Sequence, residues 1–139
     1  MSPFQQLNCG RLWSIMSWDQ LTAFWGRIQP DGWYLYAIGE AVPTEPATAE
    51  TTVEFIKRID TLLRDDHRHD YCSIVYVDNL DQPTFIKIYD PNNLGVSCGS
   101  STNPPLPGWI MSRVPPEDLQ AERAPPEGRR RWWRALFSA

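Results

Sequence analysis

The residue set most suggestive of chemistry in this 139-residue chain is a cysteine in a glycine- and serine-rich run, Gly95-Val96-Ser97-Cys98-Gly99-Ser100-Ser101. Backbone N–H groups in such a turn can lower a thiol's pKa or hold an oxyanion, which a cysteine nucleophile requires. A nucleophile also needs a base, and the chain has only two histidines, His67 and His69. A small residue filling a turn explains the same pattern, because cysteine is commonly a buried small hydrophobe. That reading is preferred, and Cys98, His67 and His69 stand as weak catalytic candidates.

Both histidines fall in Asp65-Asp66-His67-Arg68-His69-Asp70, where two imidazoles and three carboxylates lie within six residues. Spaced i,i+2, they point about 200° apart on a helix and share no ion there, although an extended segment would place them on one side. A solvated connection behind a helix C-terminus, where His and Arg complement the dipole, accounts for the run without a metal. No C-x-x-C pair, GxGxxG or GxxxxGK[ST] is present. No metal and no cofactor is therefore assigned.

The second candidate is a surface. Residues 123–139 carry five arginines and one glutamate, and contain Arg129-Arg130-Arg131-Trp132-Trp133-Arg134-Ala135-Leu136-Phe137. Residues 1–122 hold 8 Lys+Arg against 16 Asp+Glu, a net of −8, and the tail returns +4 to give −4. Read as a helix over 128–137, the tail places Arg130, Arg134 and Phe137 on one side beside an apolar patch of Trp132, Trp133 and Leu136. Trp and Arg dominate binding hot spots, so Arg130, Arg131, Trp132, Trp133, Arg134 and Phe137 are the candidate partner-binding residues. The acidic body repels the anions that the tail attracts, which favours a protein partner and disfavours nucleic acid. Weak contact with an anionic membrane stays open. So does the alternative that Trp132 and Trp133 fold back onto the acidic body and complete its core.

Several elements must position these residues. Ser17-Trp18-Asp19-Gln20 is a capping box, flanked by Met16 and Leu21 at the staple positions, and predicts a helix start at Ser17. Trp18, Leu21, Phe24, Trp25 and Ile28 form its apolar face before Pro30-Asp31-Gly32 ends it. Trp33–Ile38 reads as a strand buried on both faces. Thr48 caps a second helix running to about Arg64, with Val53, Ile56, Ile59, Leu62 and Leu63 inward and the pairs Glu54/Arg58 and Asp60/Arg64 outward. Tyr71–Val77 and Thr84–Tyr89 predict an antiparallel hairpin, followed by short strands near Val96–Cys98 and Gly108–Val114.

The expected fold is α/β in the α+β sense, a two-layer sandwich with two amphipathic helices on a mostly antiparallel sheet of about four strands. Residues 1–15 read as an N-terminal arm, 16–114 as one domain, 115–128 as a proline-rich acidic spacer and 129–139 as the basic aromatic tail. A hydrophobic fraction of 42% and seven tryptophans place the chain in the globular class. No apolar run reaches the roughly 18 residues of a membrane span, the start lacks a signal-peptide pattern, and three widely spaced cysteines fit reduced thiols. The expectation is a small cytoplasmic accessory protein that binds a protein partner and has no catalysis of its own. The alternative is a thiol-dependent or redox-sensitive protein centred on Cys98.

Overall fold

A computed structural model describes residues 2–67, 69–93, 106–119 and 127–137. Among these, five strands form one antiparallel sheet, and four α-helices pack around it. In chain order they are α1 (Pro3–Asn8), β1 (Trp13–Ser17), α2 (Trp18–Trp25), β2 (Tyr34–Ala37), α3 (Ala49–Asp66), β3 (Tyr71–Val77), β4 (Phe85–Ile88), β5 (Trp109–Ser112) and α4 (Glu127–Phe137). The strand order is β1-β3-β4-β5-β2, so β4 is central while β1 and β2 are the edges. This is the expected α+β sandwich with one strand more than expected.

Local chemistry starts the two helices expected from the sequence. Ser17 accepts from the Gln20 amide at 3.0 Å while Gln20 Oε1 accepts from the Ser17 amide at 3.2 Å, closing the capping box. Thr48 accepts from the Thr51 amide at 3.1 Å and opens α3. The outward pairs form as expected, Arg58 to Glu54 at 2.8 Å and Arg64 to Asp60 at 2.9 Å. The inward stripe of α3 is rotated from the expected one. Thr52 and Phe55 are buried with Ile59, Leu62 and Leu63, whereas Val53 is exposed. The stripe turns toward Phe55 because α4 supplies aromatic rings on that side.

Strand alternation divides the core in two. Ile15, Val75, Val77, Ile86, Ile88, Trp109, Met111, Leu35 and Ala37 face α2, α3 and α4. Tyr36, Phe85 and Ile110 face the other way and are covered by Phe4 of α1, with Leu7, Val42, Val114 and Leu119 around them. The β1–β3 pairing shifts register between Ile15 and Ser17, and Ser73 sits there at φ +50°. This irregularity lets Cys72, Ile74 and Val75 all enter the larger core.

Two boundaries differ from the sequence expectation. Of the expected arm over residues 1–15, the described residues 2–15 belong to the fold: Ser2 and Gln5 form a capping box for α1, Phe4 is buried, and Trp13–Ser17 pairs with β3. The segment expected as a spacer is used as structure at both described ends. Pro116 is buried, the Leu119 amide donates to Tyr36 Oη at 3.2 Å, and α4 begins at Glu127. The expected strand at Val96–Cys98 lies outside the described residues.

Candidate functional site

The tail forms α4, and its apolar side faces the sheet's larger core. Trp133 is 8% exposed and Leu136 is equally buried. Phe55 is the receiving side chain, with ring centroids 6.0 Å from Trp133 and 6.1 Å from Trp132, and Trp132 also lies 5.6 Å from Trp109. Edge-on aromatic packing of this kind adds to the burial of large rings. Charge holds the helix in the same position. Arg129 reaches Asp66 at 2.6 Å and Asp90 at 2.9 Å, Arg130 Nε reaches Glu40 at 3.3 Å, and Arg134 lies 3.9 Å from the same carboxylate.

Of the two alternatives left open by the sequence, folding back describes Trp132 and Trp133. Their rings are spent on the chain's own core, so a partner cannot use Trp133 as an anchor while α4 is docked. Arg131 and Phe137 point outward, and Arg134 is largely exposed. The exposed side of α4 is this narrower cationic and aromatic surface.

His67 and His69 come together. His67 is the C-cap of α3, and the His69 amide donates to the His67 carbonyl at 2.9 Å, so their ring centroids lie 4.8 Å apart. Trp18 and Tyr71 stand edge-on to His67 at 6.0 and 6.1 Å, and His67 Nε2 is buried without a hydrogen-bond partner. Burial lowers the His67 pKa below its ordinary 6.5, the neighbouring His69 lowers it further, and a backbone hydrogen bond at Cys72 pulls the other way. The third weak candidate, Cys98, lies outside the described residues. The thiol that is near His67 in sequence, Cys72, is fully buried, and burial pushes its pKa up, the opposite of an activated nucleophile. Among the described residues no group of three or more His, Cys, Asp or Glu is placed to hold a metal ion.

Sequence reasoning missed the most exposed apolar surface. Trp13 is 51% exposed and Met16 54%, both on the edge strand β1, and Tyr71, 50% exposed, opens the neighbouring strand β3 opposite Ser17. Arg11 lies over the Trp13 ring at 5.7 Å, and Tyr71 stacks on His69 at 5.1 Å. At the end of β1 the Met16 and Ser17 amides donate to Gln20 Oε1, which closes that end of the edge and leaves residues 13–15 as its open stretch. The available signal was the alternation Trp13-Ser14-Ile15-Met16-Ser17, in which Ile15 alone is buried. With this geometry in hand, the chain matches no known family, no curated protein and no solved structure.

No helix among the described residues is long and apolar enough to cross a membrane.

Proposed function

We propose that the chain is a small accessory protein, resident in the cytosol, that binds a protein partner and carries out no reaction of its own. The partner is an extended apolar segment that adds to the sheet beside β1, with the outer side of α4 as a secondary cationic contact. The observation that carries this reading is the edge strand β1, which has no outer neighbour among the described residues and exposes Trp13 and Met16, with exposed Tyr71 at the start of the adjacent β3. An exposed edge with large apolar side chains is a template for strand addition: main-chain hydrogen bonds give affinity and alternate side chains give selectivity. Natural edges usually carry charge or proline against such pairing, and Trp13–Ser17 carries neither. The free thiols of Cys9 and Cys72 fit a reducing compartment.

The test is quantitative affinity capture from a native extract with the full chain beside a Trp13→Ser/Tyr71→Ser variant, with folding checked by circular dichroism. Both substitutions fall on half-exposed side chains, so the variant is expected to fold. A protein enriched by the full chain and lost with the variant supports edge docking. Equal enrichment by both counts against it.

A further inference from the structure

The open edge of β1 is complementary to itself. Its free stretch is Trp13-Ser14-Ile15, with Leu12 before it and Met16 after it. No charge lies within Trp13–Ser17, whereas Arg11 stands two residues before the strand and Asp19 two residues after it. Both are exposed, and Asp19 is the acid in the first turn of α2. Neither forms an ion pair among the described residues. One end of the edge is therefore cationic and the other anionic, with apolar side chains between them.

Directly opposite residues of an antiparallel pair either both turn their backbone groups toward each other or both turn them away. When two copies of one strand pair about a two-fold axis, some residue must therefore meet its own copy at the centre. Ser14 is the middle of the open stretch. Centred there, Trp13 of one copy lies opposite Ile15 of the other and Leu12 opposite Met16, and each pair occurs twice. The pairing takes the half-exposed Trp13 ring and Met16 out of water. Arg11 falls opposite Ser17, and from there its long side chain reaches Asp19 at the start of α2. Opposite charges across such a pair favour it, whereas in-register parallel pairing would set Arg11 beside Arg11 and Asp19 beside Asp19. The other edge of the sheet has no such property. Leu35, Tyr36 and Ala37 of β2 are buried, and the Ala47 amide donates to the Trp33 carbonyl at 2.9 Å just before β2 begins.

We propose that the segment added beside β1 is β1 of a second copy of this chain, joined antiparallel about a two-fold axis at Ser14. The two five-stranded sheets then continue as one across the axis. This inference rests on the reading of β1 as a docking edge and names its occupant. The interface is isologous, so each copy gives and receives the same contacts and the assembly closes at two. With only residues 13–15 free on each copy the interface is small, and the dimer forms and dissociates with concentration.

The test is analytical ultracentrifugation of the full chain over a rising concentration series at low ionic strength. Arg11→Glu, Asp19→Arg and an equimolar mixture of the two are run beside it, with folding checked by circular dichroism. Both substitutions fall on exposed side chains outside β1. The native chain is expected to pass from monomer to dimer. Each variant alone sets like charges together at both ends of the interface and is expected to weaken the dimer about tenfold. The mixture sets opposite charges together at both ends and is expected to associate close to the native level. A native chain that stays monomeric at its highest soluble concentration overturns the proposal. So does a dimer that neither variant weakens, or a mixture no stronger than its components. Edge docking of a different protein survives those outcomes if capture still depends on Trp13 and Tyr71, and fails with them if it does not.

Discussion

Arg129 and Asp90 are joined by two hydrogen bonds, Nε to Oδ2 at 2.9 Å and Nη2 to Oδ1 at 3.1 Å, and the same guanidinium reaches Asp66. This fork joins the first turn of α4 to the end of β4 and to the last turn of α3. Planar bidentate geometry suits arginine and is lost with lysine. Arg129→Met is expected to lower stability by about 1–2 kcal/mol once solvent screening of the partly exposed carboxylates is allowed for. Arg129→Lys is expected to recover less than half of that. Urea unfolding followed by tryptophan fluorescence measures both; unchanged midpoints would show that α4 is not held by this fork.

If α4 belongs to the core, its aromatic contact is worth more than its ion pairs. Trp133→Ala removes a buried ring facing Phe55 and is expected to cost about 3 kcal/mol, whereas Arg131→Ala on the exposed side is expected to change stability by less than about 0.5 kcal/mol. Thermal unfolding of the two variants in parallel checks the ordering. Equal and small effects would place the helix outside the cooperative unit.

His67 gives the fold an acid-sensitive point. Its pKa is depressed in the folded state, chiefly by burial and then by His69, so the folded protein takes up a proton less readily than the unfolded chain. The stability tied to neutral His67 is therefore complete above the unfolded value near 6.5. It is lost progressively as pH falls from there through the folded-state pKa. Urea midpoints at pH 7.5 and 5.5 are expected to differ more for the native sequence than for His67→Gln, a variant that does not ionise. Parallel pH profiles would contradict this.

The two described cysteines differ in exposure, and this predicts their labelling. Cys9 is exposed, whereas Cys72 is fully buried and its thiol pKa is pushed up by burial. Maleimide is expected to modify Cys9 in native protein within the dead time in which Cys72 stays unmodified, and to reach Cys72 only in denaturant. Peptide mapping after a short pulse distinguishes them. Native labelling of Cys72 would show that the α3–β3 junction opens readily.

The sequence was most readable where structure is set by a few adjacent residues. Ser17 with Gln20, Thr48 with Thr51, and the pairs Glu54/Arg58 and Asp60/Arg64 act within four residues and appear as expected. The hairpin of β3 and β4 was equally legible from its β-branched and aromatic runs. What was hidden depends on distant partners. Trp13–Ser17 becomes a strand only because β3 lies beside it, and the lone buried position Ile15 is too little periodicity to reveal that in isolation. Reading residues 1–15 as an arm misses the capping box of Ser2 and Gln5, and nothing local shows that Phe4 will cover Phe85. Val53 and Phe55 could each have faced inward until the position of α4 decided it. The tail's Arg and Trp residues showed a docking element without showing that the surface it meets is the chain's own.

Docking at the β1 edge is tested most directly by amide hydrogen exchange of the full chain, alone and in complex with a protein captured through it. The outward amides of residues 13–15 are expected to gain protection on complex formation, while β2 at the opposite edge stays as it was. Protection gained only on α4 or β2, with residues 13–15 unchanged, would contradict strand addition as the mode of binding.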